Sequence, residues 1–75
     1  MDRTRMAREV GERIAEVRGE RSQREWSKET GIPQQSISYW EQGRGVPSAE
    51  TLVRIARHEG VSLNWLFLGT GRKRM

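Results

Sequence analysis

Seventy-five residues without a cysteine make one domain with a small core, held by neither a disulfide nor a thiolate-bound metal. Hydrophobic residues are 33% of the chain and occur in short runs, which argues against a membrane span or a signal-peptide core and for a protein that stays in a reducing cytoplasm. Fourteen Lys and Arg against ten Asp and Glu give a formal charge of +4 and a pI near 10.7, a balance that favours a polyanionic partner without identifying it.

Glycines and capping residues punctuate the chain, and between them apolar residues recur at helical rather than alternating spacing. From about Thr4 to Gly19, Met6, Val10, Ile14 and Val17 fall on one face, with Arg and Glu around the rest; Gly11 weakens this helix without ending it. "SQRE" starts a second helix, in which Ser22 caps the amide of Glu25 while Glu25 reaches back, and which stops at a left-handed Gly31. Ile32 and Pro33 open a third, with proline at the first helical position and Gly43 at the close.

After the loop "GRGVP", Ser48 caps a fourth helix whose Leu52, Ile55 and Ala56 form an inward stripe up to Gly60. Ser62 caps a last short helix, "LNWLFL", ended by Gly69 and Gly71. The expected fold is all-α, a compact bundle of five short helices over residues 1–71, followed by a basic tail, 72–75, expected to fray.

The third helix carries the functional signal. At about 100° per residue, Ile37 and Trp40 fall on one side, and Gln35, Ser38, Tyr39 and Gln42 on the other, with Gln34 at the border. A surface helix ordinarily carries Lys and Glu on its outer face; this one carries uncharged donors and acceptors. A carboxamide meets the paired donor and acceptor of adenine in the major groove, whereas a lysine would bind any phosphate and read little. A short capped helix, a glycine corner and a second short helix that begins with such side chains form a helix-turn-helix.

Residues 13 to 71 resemble the Cro/lambda-repressor type of helix-turn-helix domain, the XRE-like family of phage and bacterial transcriptional regulators. The likeness rests on "SQ" opening helix two, "TGI" at the corner, "QQSISYWEQG" as recognition helix, "VPSAETLVRIA" as helix four and "GVSLNWL" as helix five. It implies that Gln34, Gln35, Ser38 and Tyr39 face base edges, Gln35 foremost. It implies that Ser22, Gln23, Gln42 and Arg44 hold phosphates, and that Arg18 and Glu41 form a structural ion pair between helix one and the recognition helix.

Phage-type relatives pair through their last helix, so Trp65 and Leu68 are the expected dimer contacts. The implied partners are a double-stranded operator and a second copy of the chain. The sequence departs from the family pattern at several places. The corner "RGERSQ" is about two residues shorter than usual, which leaves the reach of Arg21 and Arg24 open. Trp26 and Ser27 stand where a smaller apolar residue and an alanine are usual, Tyr39 replaces the Arg, Lys or Gln often found there, which points to a thymine methyl or a sugar, and Leu68 stands where a polar residue is common.

Trp26, Trp40 and Trp65 could stack on single strands, but their helical spacing among apolar neighbours points to core packing. His58, the lone histidine, has no evident second ligand, and neither "GRG" nor "GTG" has the frame of a nucleotide loop. No metal, cofactor, small-molecule ligand or catalytic constellation is expected. The expected function is that of a phage-type repressor that binds a palindromic operator as a dimer. A restriction-modification controller or antitoxin of the same fold is the alternative, and a scaffold for protein contacts is an alternative of another class.

Overall fold

The computed structural model describes residues 2–75. Five helical segments follow in order: α1 (Arg3–Arg18), α2 (Gln23–Thr30), α3 (Gln34–Glu41), α4 (Ala49–Glu59) and α5 (Asn64–Leu68). Among the described residues the regular structure is all helical apart from one isolated antiparallel bridge, Val61 with Arg74.

Cap chemistry sets most of the boundaries. The Asp2 carboxylate accepts from the Thr4 amide at 3.0 Å, and Ser48 accepts from the Thr51 amide at 3.2 Å. Ser22 and Glu25 exchange hydrogen bonds of 3.0 Å in a complete capping box, and the Ser22 amide holds the Glu25 carboxyl below its ordinary value. Gly31 and Gly60 close α2 and α4 with φ of 76° and 68°.

Two boundaries differ from the sequence expectation. Pro33 flanks α3 instead of opening it, because its ψ of 136° is still extended; its carbonyl already accepts from the Ile37 amide. The last helix winds wide, with the Gly69 amide reaching the carbonyls of Asn64 and Trp65, a π-type turn that no periodicity signals over five residues.

The core is one cluster. Val10 and Ile14 of α1, Trp26 of α2, Ile37 of α3, Ile55 of α4, Leu66 of α5 and Val61 in the turn between the last two helices are fully buried, with Trp40 and Leu52 beside them. Trp26 and Trp40 are therefore core residues. Trp65 is only partly buried, packed against the edge of the cluster.

Gly11 is where α1 meets α3. A Cβ on Gly11 would lie 2.1 Å from the Trp40 carbonyl oxygen, so the two backbones touch without side chains between them. Farther along, Arg18 donates through Nε and Nη2 to both Glu41 oxygens, at 2.7 and 2.8 Å, and through Nη1 to the Arg21 carbonyl. This fork both orients α3 and ties the end of α1 to the short corner.

The opposite side of the bundle is held by Arg21. Its guanidinium donates to Glu59 at 2.8 Å, to Glu29 at 2.9 Å and to the carbonyls of Val17 and Arg18. The Trp26 indole N–H also donates to Glu59, at 2.9 Å, and Arg21 lies over the Trp26 ring. The corner after α1 and the Trp26 indole are thus parts of one network. Ser27, the other departure, donates its hydroxyl to the Ile32 carbonyl across the helix-turn-helix corner.

The tail corrects an expectation. Residues 72–75 do not fray: Val61 and Arg74 form the antiparallel bridge, and the Ser62 amide donates to the Lys73 carbonyl at 2.8 Å. Lys73 pairs with Glu16 at 2.7 Å while its ammonium lies 5.2 Å from the centre of the Trp65 ring. The indole face and the Glu16 carboxylate thus share one ammonium, a contact invisible to a composition reading.

In an exposed helix interior, alanine is worth about 1 kcal/mol over glycine. At Gly11 the added methyl meets a backbone carbonyl that neither helix can move cheaply, so Gly11→Ala is expected to lower stability by about 2 kcal/mol or more in urea titrations. Burial opposes ionisation of Glu59, but hydrogen bonds from Arg21 and Trp26 outweigh it and hold the carboxyl below its ordinary value. A lowered folded-state pKa contributes stability that is present above the unfolded value, about 4.3, and is lost as pH falls through the folded value. The urea midpoint should therefore fall on acidification through that range, and Glu59→Gln should lower it at neutral pH and flatten part of the acid limb.

Candidate nucleic-acid interface

The outer face of α3 is open. Gln34 and Gln35 are exposed, Tyr39 is 48% exposed, and Ser38 is half-buried between them. Together with Gln23, Gln42 and Arg44 they line a concavity of about 510 Å³ without a carboxylate among its walls. Ile37 and Trp40, on the other side of the same helix, are in the core.

The concavity collects every residue expected to meet base edges or phosphates except Ser22. That serine lies exposed at the start of α2, where its hydroxyl is occupied in capping Glu25. Its amide in turn donates to the Glu25 carboxylate at 3.0 Å, so the capping box already occupies both polar groups of this serine.

The polar groups are not equally free. Gln42 donates from Nε2 to the Ser38 hydroxyl at 2.8 Å, and Gln23 donates from Nε2 to Glu41 at 3.1 Å. Glu41 thus serves Arg18 and Gln23 together, and its charge is turned from the concavity into the ion pair. Among the described residues, the side chains of Gln34, Gln35 and Arg44 make no hydrogen bond to the protein, so they meet a ligand without first breaking a contact.

Tyr39 is held by a residue the sequence did not single out. A Cβ on Gly45 would lie 2.6 Å from Tyr39 Cε2, so the ring rests on bare backbone in the loop after α3. The glycine pair in "GRGVP" reads only as a flexible loop; that one member supports an aromatic ring needs the folded chain. Arg21, by contrast, is removed from the interface, since its donors are spent on α1, Glu29 and Glu59. Arg24 is exposed.

The expected dimer contacts lie apart from this face, on α5. Leu68 is 49% exposed, and Trp65 is partly covered by Lys73. Leu63 and Phe67 flank a small apolar groove with Val46, Pro47, Ala49 and Leu52. Arg13 fixes α5 against α1 by donating to the Leu66 and Phe67 carbonyls at 2.8 and 2.9 Å.

His58 has closer company than its sequence neighbours suggest. Packing brings Glu29 beside His58 and Glu59, with possible ligand atoms within 4.8 Å of one another. Both carboxylates already pair with Arg21, and Glu59 also accepts from Trp26, so a divalent ion would have to displace a guanidinium. The cluster holds α2 to α4.

Comparison with known proteins agrees with this geometry. Residues 14–66 match the family model described as "Helix-turn-helix". The chain is 40% identical over 45 residues to a Haemophilus influenzae protein described as an uncharacterized HTH-type transcriptional regulator; the match covers 60% of this chain and 19% of that one. The chain thus matches about a fifth of that relative's length. No solved structure matches the chain significantly. The chain belongs to the XRE-type helix-turn-helix family.

Gly45→Ala is expected to push the Tyr39 ring off its seat while leaving the core untouched. In NMR spectra the ring resonances of the single tyrosine should shift, with the unfolding free energy from urea titration changed by less than about 1 kcal/mol.

Proposed function

We propose that this chain is a sequence-specific double-stranded DNA-binding domain of a transcriptional regulator, acting as a phage-type repressor by occupying its operator. The observation that carries this reading is the uncovered amide-rich face of α3, set in a concavity with Arg44 on its wall and no acidic side chain lining it. Gln34, Gln35, Ser38 and Tyr39 read base edges, with Gln35 the principal reader and Tyr39 suited to a thymine methyl or a sugar. Ser22, Gln23, Gln42 and Arg44 hold the phosphates on either side and fix the register.

The dimensions support a two-fold arrangement. The longest extent of the domain is 32 Å, close to one turn of duplex, about 34 Å. Two copies paired about a two-fold axis would present their recognition helices to successive major grooves of a palindrome. Trp65 and Leu68 supply the pairing surface in this reading. The exposed leucine offers apolar area, and Leu63 and Phe67 of the same segment line a separate apolar groove.

Selection of bound duplexes from a random pool tests the reading, because a palindrome would report specificity and symmetry together. On the selected site Gln35→Ala should cost about 1 to 3 kcal/mol and relax preference at one base position. Arg44→Ala should weaken all sequences alike and reduce the slope of log affinity against log salt by about 1. Uniform loss in both variants would overturn the assignment of readers, and salt-independent binding by the wild type would overturn the function.

A further inference from the structure

Beyond Tyr39 lies a second concavity, of about 500 Å³, formed between the start of α1 and the turn after α3. Arg3 and Thr4 line one wall, Arg44 and Gly45 the other, and Tyr39 and Arg44 are shared with the concavity on the reading face. The two hollows are therefore one continuous surface divided by the tyrosine ring.

Backbone packing keeps the start of α1 in this place. Gly43 has a φ of 75°, and a Cβ there would lie 3.3 Å from the Arg8 Cα, so the turn after α3 rests directly on α1. Neither wall carries a carboxylate. Asp2, the nearest acid in sequence, turns onto the Thr4 amide as the helix cap. Arg5, on the same helix, is paired with Glu9 at 3.0 Å, whereas the Arg3 side chain is exposed and makes no hydrogen bond among the described residues.

The chemistry of this shelf differs from that of the reading face. It offers two guanidiniums over a floor of small residues and no carboxamide, a surface suited to a sugar-phosphate strand and not to a base edge. We infer that the shelf holds the backbone of the operator strand as it leaves the groove read by α3, with Arg3 as its outer phosphate clamp. Arg3 and Arg44 then grip the same strand from the two walls of the shelf beside Tyr39, and the footprint runs past the base pairs that α3 reads. The inference rests on the proposed DNA binding and assigns a second contact region to it.

The test compares wild type, Arg3→Gln and Arg57→Gln on two duplexes. Arg57 is exposed on α4 and lines a different pocket, so its variant matches the charge change without touching the shelf. One duplex carries the selected site with long flanks; the other is trimmed to the base pairs whose identity selection fixes. On the long duplex Arg3→Gln should weaken binding severalfold and lower the salt slope by about 1, while Arg57→Gln stays near wild type. On the trimmed duplex all three should bind alike. Equal behaviour of Arg3→Gln and Arg57→Gln on the long duplex, or an equal loss from Arg3→Gln on both duplexes, would overturn the shelf. Absence of salt-dependent binding by the wild type would instead remove the functional reading beneath it.

Discussion

A carbonyl oxygen of α3 occupies the space where a side chain of α1 would begin. Because Gly11 has no Cβ, the first and third helices meet backbone to backbone at Trp40, a contact with no rotamers to loosen it. Two further contacts turn this point into a fixed axis: Gly43 rests on Arg8, and the Arg18 fork grips Glu41. A helix of eight residues could otherwise roll about its axis, and rolling would exchange its amide face for its indole face. The orientation on which the proposed DNA contact depends is therefore a property of α1.

The charges around the core divide into positional and presented groups. Arg18, Arg21, Glu41 and Glu59 are only 10 to 30% exposed and satisfy one another with short hydrogen bonds. Their net contribution to stability is modest because dehydration offsets much of their attraction, yet removing one member strands the others. Trp26 changes that balance, since its buried ring contributes apolar area and its N–H supplies Glu59 with a further donor. The presented cations, Arg3 and Arg44, sit on the rims of concavities that contain no acid.

What the sequence revealed was local. Helices with a capping serine and a closing glycine, α2 and α4, were the most legible because those signals act within four residues, while apolar spacing located the others. The polar side of α3 was legible for the same reason: Ile37 and Trp40 leave only one way for that helix to face a core. Hidden were contacts that join distant segments, among them Gly11 with Trp40, Glu29 with His58, and Lys73 with Trp65. Pro33 was misplaced by one residue because its φ suits either position and only ψ distinguishes them. Within the site, the residue types could be read along the chain, but not which amides are already bonded or that Gly45 supports the tyrosine.

That support has an entropic consequence. An aromatic side chain on a free surface samples several rotamers, and fixing it at an interface costs about 0.5 to 1.5 kcal/mol. Tyr39, seated against the Gly45 backbone, has given up much of that freedom when the chain folds. The cost is thus met when the chain folds, so a contact of the proposed kind with DNA would have less of it left to meet.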